Sequence, residues 1–127
     1  MIFLSRFVKL KTNSDFRRTY ARGKVYANPA LVVYVIKNRA GICRIGITTS
    51  KKIGNAVERN RSRRIIKEAF RSVCKDIDGA YDFVFVARSK TKYQKSTYIE
   101  KVMREMMLTN GIIADNVKEE KDETTSS

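Results

Sequence analysis

The sequence predicts a single α+β domain with the order helix, strand, strand, helix, strand, helix, an αββαβα sandwich around a central sheet. Three observations predict it. Three short runs rich in β-branched and aromatic residues stand at 30–36, 43–49 and 81–87. Three stretches carry apolar residues at helical spacing. The chain is 127 residues long, which suits one core.

Each element has a local reason. Asn13-Ser14-Asp15 offers capping side chains before Phe16, and Phe16, Thr19 and Tyr20 then recur at helical spacing up to Arg22. Gly23 is the stop signal. Ala30 to Ile36 is a buried strand, and Asn38-Arg39-Ala40-Gly41 a turn. Cys43 to Thr49 is a second strand, expected to form a hairpin with the first. From Ala56 to about Lys75 the pattern is helical until Asp78-Gly79 breaks it. Tyr81 to Ala87 is the third strand. After a polar, basic loop from Arg88 to Lys95, Tyr98, Val102, Met106 and Leu108 mark a last amphipathic helix, capped by Ser96 or Thr97. The domain is expected to span 1–114. Residues 115–127 are acidic, then Thr/Ser-rich, and are expected to form a disordered tail.

Charge narrows the partners. Lys and Arg number 27 against 13 acids, a formal net charge of +14. Through Lys75 there are nineteen basic residues and three acidic ones, Asp15, Glu58 and Glu68. Such self-repulsion is relieved by a polyanion; nucleic acid is the first candidate and an anionic membrane surface the alternative. No apolar run approaches the roughly 20 residues of a membrane span, and the start lacks a secretory pattern, so a cytoplasmic protein without membrane attachment is expected. Histidine is absent and the two cysteines lack metal-site spacing, which argues against zinc; Cys43 and Cys74 are expected to pack as small hydrophobes.

The informative stretch runs from Ser50 to Arg71, SKKIGNAVERNRSRRIIKEAFR. Ile65, Ile66, Ala69, Phe70 and Val73 fall on one helix face. Arg59, Arg63, Lys67 and Arg71 form a row at i, i+4 spacing beside it, and Asn60 and Arg64 widen that row. Like charges at this spacing cost about 0.2–0.5 kcal/mol per pair, so the row opposes folding by about 1 kcal/mol. An RNA phosphate backbone would supply the missing counter-charge, and arginine's planar fork suits it. Asn60 can bond a sugar or base edge, or its neighbours' guanidinium groups. Lys51, Lys52 and the helix N-terminus after Gly54-Asn55 are a candidate anion site.

The segment Ser50 to Arg64, with Arg59-Asn60-Arg61 at its centre, resembles the signature of the bacterial ribonuclease P protein family. The similarity extends to Asp15-Phe16 and Tyr20, Ala27-Asn28 and Tyr34, and the Tyr81-to-Arg88 strand, covering about residues 7 to 112. Lys67 stands where many relatives carry arginine, and Tyr20 where phenylalanine is common. The resemblance implies a sheet of four strands or fewer, with a left-handed βαβ crossover at the basic helix, as in ribosomal-protein domain-2-like folds. It implies a tRNA-processing endonuclease subunit whose catalytic partner is ribonuclease P RNA, with Mg²⁺ held mainly by that RNA and no small-molecule cofactor. Catalytic-RNA binding is then expected at Lys52, Asn55, Arg59, Asn60, Arg61, Arg63, Arg64, Lys67 and Arg71. Binding of the 5′ leader of precursor tRNA is expected at Phe16, Tyr20, Tyr34, Thr49 and Lys51. Exposed aromatics stack single-stranded bases without demanding sequence; Phe16 alone could equally be a core residue. No catalytic or metal-binding residue is expected in the protein itself. A general RNA-binding accessory protein of the ribosome or of tRNA maturation is the rival reading.

Overall fold

A computed structural model describes residues 7–113. The expected tail and the first six residues lie outside them. The elements are β1 (Phe7–Lys9), α1 (Asn13–Arg22), β2 (Lys24–Asn28), β3 (Leu31–Lys37), β4 (Cys43–Thr48), α2 (Ala56–Val73), β5 (Tyr81–Ala87) and α3 (Ser96–Thr109). Short 3-10 turns occur at Lys51–Ile53, Cys74–Asp76 and Thr91–Tyr93.

The five strands form one sheet in the order β1-β4-β5-β3-β2. This is wider than the four strands expected. The hairpin is also relocated. Strand β3 pairs antiparallel with β2 and β5, whereas β4 pairs parallel with β1 and β5. The turn at Asn38–Gly41 therefore leads away from β3, and β5 inserts between the two strands expected to be neighbours. The two missed strands are weak in sequence. β1 has only three residues, and β2 is an edge strand with Lys24, Val25 and Ala27 exposed.

Strand alternation sorts the sheet into two faces. Leu31, Val33, Val35, Phe83 and Phe85 point to α2 and α3 and join Ile66, Phe70, Ile99 and Met103 in the core. The ring of Phe70 lies 5.1, 5.2 and 5.4 Å from those of Phe7, Phe83 and Phe85. Burying one such side chain is worth about 1.5–3 kcal/mol, so the inner face of α2 outweighs the repulsion along its basic row. The other face carries Arg44 and Gly46, then Asp82 and Val84, with Tyr34 and Val25 in register beyond them. Helix α1 covers part of this second face and leaves the rest open.

Helix ends shift slightly from expectation. The α1 cap is Thr12, whose hydroxyl accepts from the Asp15 N–H at 3.0 Å. Gly23 ends the helix as expected, but in an extended rather than left-handed conformation. Lys95 precedes α3 without a side-chain cap, and Ser96 is already helical. Cys43 and Cys74 are buried, and burial pushes the Cys43 thiol up.

Candidate nucleic-acid interface

Two surfaces flank β4. On the first, Phe16 projects from α1 onto Gly46 of β4, where any Cβ would overlap its ring. Glycine at 46 is thus the seat of the aromatic side chain. One turn later the Tyr20 ring meets Tyr34 edge-on at 4.8 Å and 84°. Tyr20 remains 40% exposed, and Phe16 and Tyr34 are half-buried. Phe16 therefore both packs and lines the cleft. Beyond the rings the floor is apolar and open, with Val25 exposed and Val32 and Val86 half-buried.

A buried charge cluster fixes α1 to this floor. Asp82 is inaccessible to solvent. Arg44 donates to both its carboxylate oxygens at 2.8 Å, Arg18 of α1 donates at 3.0 Å, and the Asn38 amide donates at 2.7 Å. Asp15 lies 3.4 Å from Arg18 and 3.6 Å from Arg44. Burial alone would raise the Asp82 pKa; the bonds from Arg44, Asn38 and Arg18 override it and hold the carboxyl below its ordinary range. The sequence did carry a signal for this cluster: an aspartate inside an apolar strand, and an arginine at an alternating position of β4.

This cluster makes a prediction about acid stability. The unfolded chain takes up a proton at Asp82 first, so its contribution is complete above the ordinary aspartate range. It drains away as the pH falls from there through the lower folded value. Asp82→Asn should cost about 3 kcal/mol at neutral pH, because Arg44 and Arg18 lose the nearer and more buried of their two counter-charges. It should also flatten the acid limb of stability. Urea melts of both proteins from neutral pH down to about pH 3 check it; parallel acid limbs would contradict it.

The second surface is α2. Asn60, Arg61, Arg63, Arg64, Lys67 and Arg71 are exposed. Among the described residues, no carboxylate pairs with any basic residue of α2; the ion pairs belong to Arg18, Arg44, Lys92 and Arg104. Asn60 takes a long contact from Arg63, at 3.4 Å. Arg59 differs from the row it was grouped with. It is half-buried and donates to the Gly54 carbonyl at 2.7 Å. Asn55 serves the fold: its side chain accepts from the Glu58 N–H, and Glu58 accepts from the Asn55 N–H, both at 2.9 Å. This reciprocal cap satisfies helix N–H groups that were expected to face an anion. The Asn55-x-x-Glu58 spacing could have shown it. The Asn55 N–H, then Lys92, hold the Glu58 carboxyl below its usual range.

Lys51 and Lys52 are exposed in the turn joining β4 to α2. Thr49 turns its hydroxyl into a buried position without a hydrogen-bond partner among the described residues, while Thr48 stands in the cleft row beside Val86. A cavity of about 540 Å³ joins the two surfaces around the β1 edge, lined among others by Phe16, Gly46, Lys9, Arg63 and Lys67. Aromatic rings and unpaired cations thus share one continuous surface.

Comparison with known proteins gives the family. The Ribonuclease P family profile matches residues 4–110. The chain belongs to the ribonuclease P protein family. The ribonuclease P protein component of Clostridium botulinum (strain Loch Maree / Type A3) is 42% identical over 105 residues, covering 82% of this chain and 95% of that protein. That of Clostridioides difficile (strain 630) is 44% identical over 99 residues, covering 77% and 87%. The solved Staphylococcus aureus RNase P protein superposes with a TM-score of 0.72 at 34% identity, covering 84% of this chain and 97% of that one. As a ribonuclease P protein, the chain is a subunit of a tRNA-processing ribonuclease, and the general accessory-protein reading is not favoured. No helix among the described residues is long and apolar enough to cross a membrane.

Proposed function

We propose that this ribonuclease P protein works in the cytoplasm as the RNA-gripping subunit of a ribonucleoprotein endonuclease. The exposed face of α2 binds the RNA component. The cleft between α1 and the sheet receives the single-stranded 5′ leader of precursor tRNA. Hydrolysis at the leader junction is performed by the RNA component.

The observation that carries this reading is the pairing of a basic helix face, free of ion pairs among the described residues, with an aromatic cleft on the other side of β4. Phosphates answer the first, and unstacked bases the second. Among the described residues, the carboxylates nearest the cleft are already engaged by arginines. Asp15 and Asp82 are engaged by Arg18 and Arg44, and no cluster of three His, Cys, Asp or Glu side chains occurs among the described residues. The proposal places the Mg²⁺ mainly on the RNA component. The protein holds and orients two RNAs and screens their mutual repulsion, an effect that weakens as salt rises.

Reconstitution tests this. Precursor tRNA should be cut rapidly at low Mg²⁺ by protein and RNA component together, slowly by the RNA alone, and not at all by RNA-free protein. Leader removal by RNA-free protein would overturn the proposal.

A further inference from the structure

The basic loop from Arg88 to Lys95 has no part in either surface above. It carries Arg88, Lys90, Lys92 and Lys95 and no acid. It is also firmly held. The Thr91 hydroxyl is buried, donates to the Ala30 carbonyl at 2.6 Å and accepts the Arg88 N–H at 2.9 Å. Lys92 donates to the Ile53 carbonyl at 2.6 Å and pairs with Glu58 at 3.3 Å. These bonds tie the loop to the start of β3, the turn after β4 and the first turn of α2.

Anchored this way, the loop presents Tyr93 outward. Its side chain is 76% exposed, as is Val57, the neighbour of Glu58 in α2. Two large apolar side chains thus stand beside the Lys92–Glu58 pair that docks the loop. The Lys92 ammonium lies 5.3 Å from the Tyr93 ring centroid and helps fix its orientation.

The loop begins where the cleft floor ends. The floor row Thr48–Val86–Val32 ends where β4 runs on to Thr49 and Lys51, and β5 runs on to Ala87 and Arg88. A strand leaving the cleft past Lys51 meets this loop next. An exposed ring among cations suits a single strand, whose bases can be splayed onto it; a paired helix keeps its base faces stacked inside.

We infer that Tyr93, flanked by Lys90 and Lys95, is a further stacking platform for the leader, engaging nucleotides upstream of those held between α1 and the sheet. The inference rests on the leader-cleft reading above.

The test uses holoenzyme reconstituted with the cognate RNA component and precursor tRNAs whose leaders are shortened stepwise. Tyr93→Ala should weaken binding of long-leader substrate about fivefold, the low end of one base–aromatic stack. Substrates cut back to a few leader nucleotides should bind as before, and Tyr93→Phe should restore the long-leader affinity. The chain has no tryptophan, so Tyr93→Trp creates a single tryptophan that can be excited selectively over the tyrosines. Its emission should change on adding long-leader substrate and stay constant on adding short-leader substrate. Unchanged affinity at every leader length for Tyr93→Ala would overturn the inference. So would a tryptophan signal that responds fully to the RNA component alone, which would assign the loop to that RNA. A Phe16→Ala/Tyr20→Ala protein run alongside separates the two readings. If it discriminates leader length and Tyr93→Ala does not, only the platform fails; if its losses are independent of the leader, the cleft reading fails as well.

Discussion

Replacing Arg61, Arg63 and Arg64 together with alanine should weaken binding of the RNA component about a hundredfold at low salt. It should also reduce the slope of log affinity against log salt by up to about three units. All three side chains are exposed and without carboxylate partners among the described residues, so their removal leaves no orphaned internal charge. Folding should be unharmed, or slightly improved, since like charges along a helix repel. Binding measured across a salt series, with thermal melts of the free protein, decides the matter. An unchanged slope would take this face out of the interface. Arg59→Ala is a useful contrast: its bond to the Gly54 carbonyl means that part of its effect should appear as lost stability.

The second large effect concerns the cleft. Phe16→Ala with Tyr20→Ala should reduce affinity for precursor tRNA about ten- to a hundredfold, as expected for the loss of two stacking surfaces. Mature tRNA should bind as before. Gly46→Val should have the same signature with both aromatic residues kept, because the new side chain displaces the Phe16 ring. Titration of leader-bearing and leaderless substrates into reconstituted holoenzyme measures both. Equal losses on the two substrates would point to misfolding, which the Phe16–Gly46 contact makes a real risk for the valine protein and a smaller one for Tyr20, 40% exposed.

The sequence was most legible where one residue pattern answers one physical demand. β5 was bounded correctly by its apolar run, and the inner face of α2 by its 3.6-residue period. Pairing was less legible, because strand partners depend on the whole chain. β4 and β5 become parallel neighbours only once α2 has crossed between them, and nothing local to 31–49 forbids the simpler hairpin. Site residues divide in the same way. The exposed cations of α2 stand where the periodicity put them. Asn55, Arg59 and Thr49 do not present themselves as expected: Asn55 caps α2 against Glu58, Arg59 bonds the Gly54 carbonyl, and the Thr49 hydroxyl is buried. The Asp82 cluster was signalled only by an aspartate in an apolar strand, and its partners were not legible for a third reason. Its members come from α1, β4, β5 and the turn after β3, four segments far apart in sequence.

Strand β4 supports Phe16 through Gly46 and, a few residues later, passes through Lys51 into the α2 helix. It is hydrogen-bonded along one side to β5 and over part of the other to β1, so it behaves as a stiff strut. The seat of Phe16 and the root of the basic helix are thereby held a set distance apart, like the jaws of a gauge. On the proposed function, a leader lying in the cleft would be offered to the RNA component at a spacing that the backbone dictates, whatever bases the strand happens to carry.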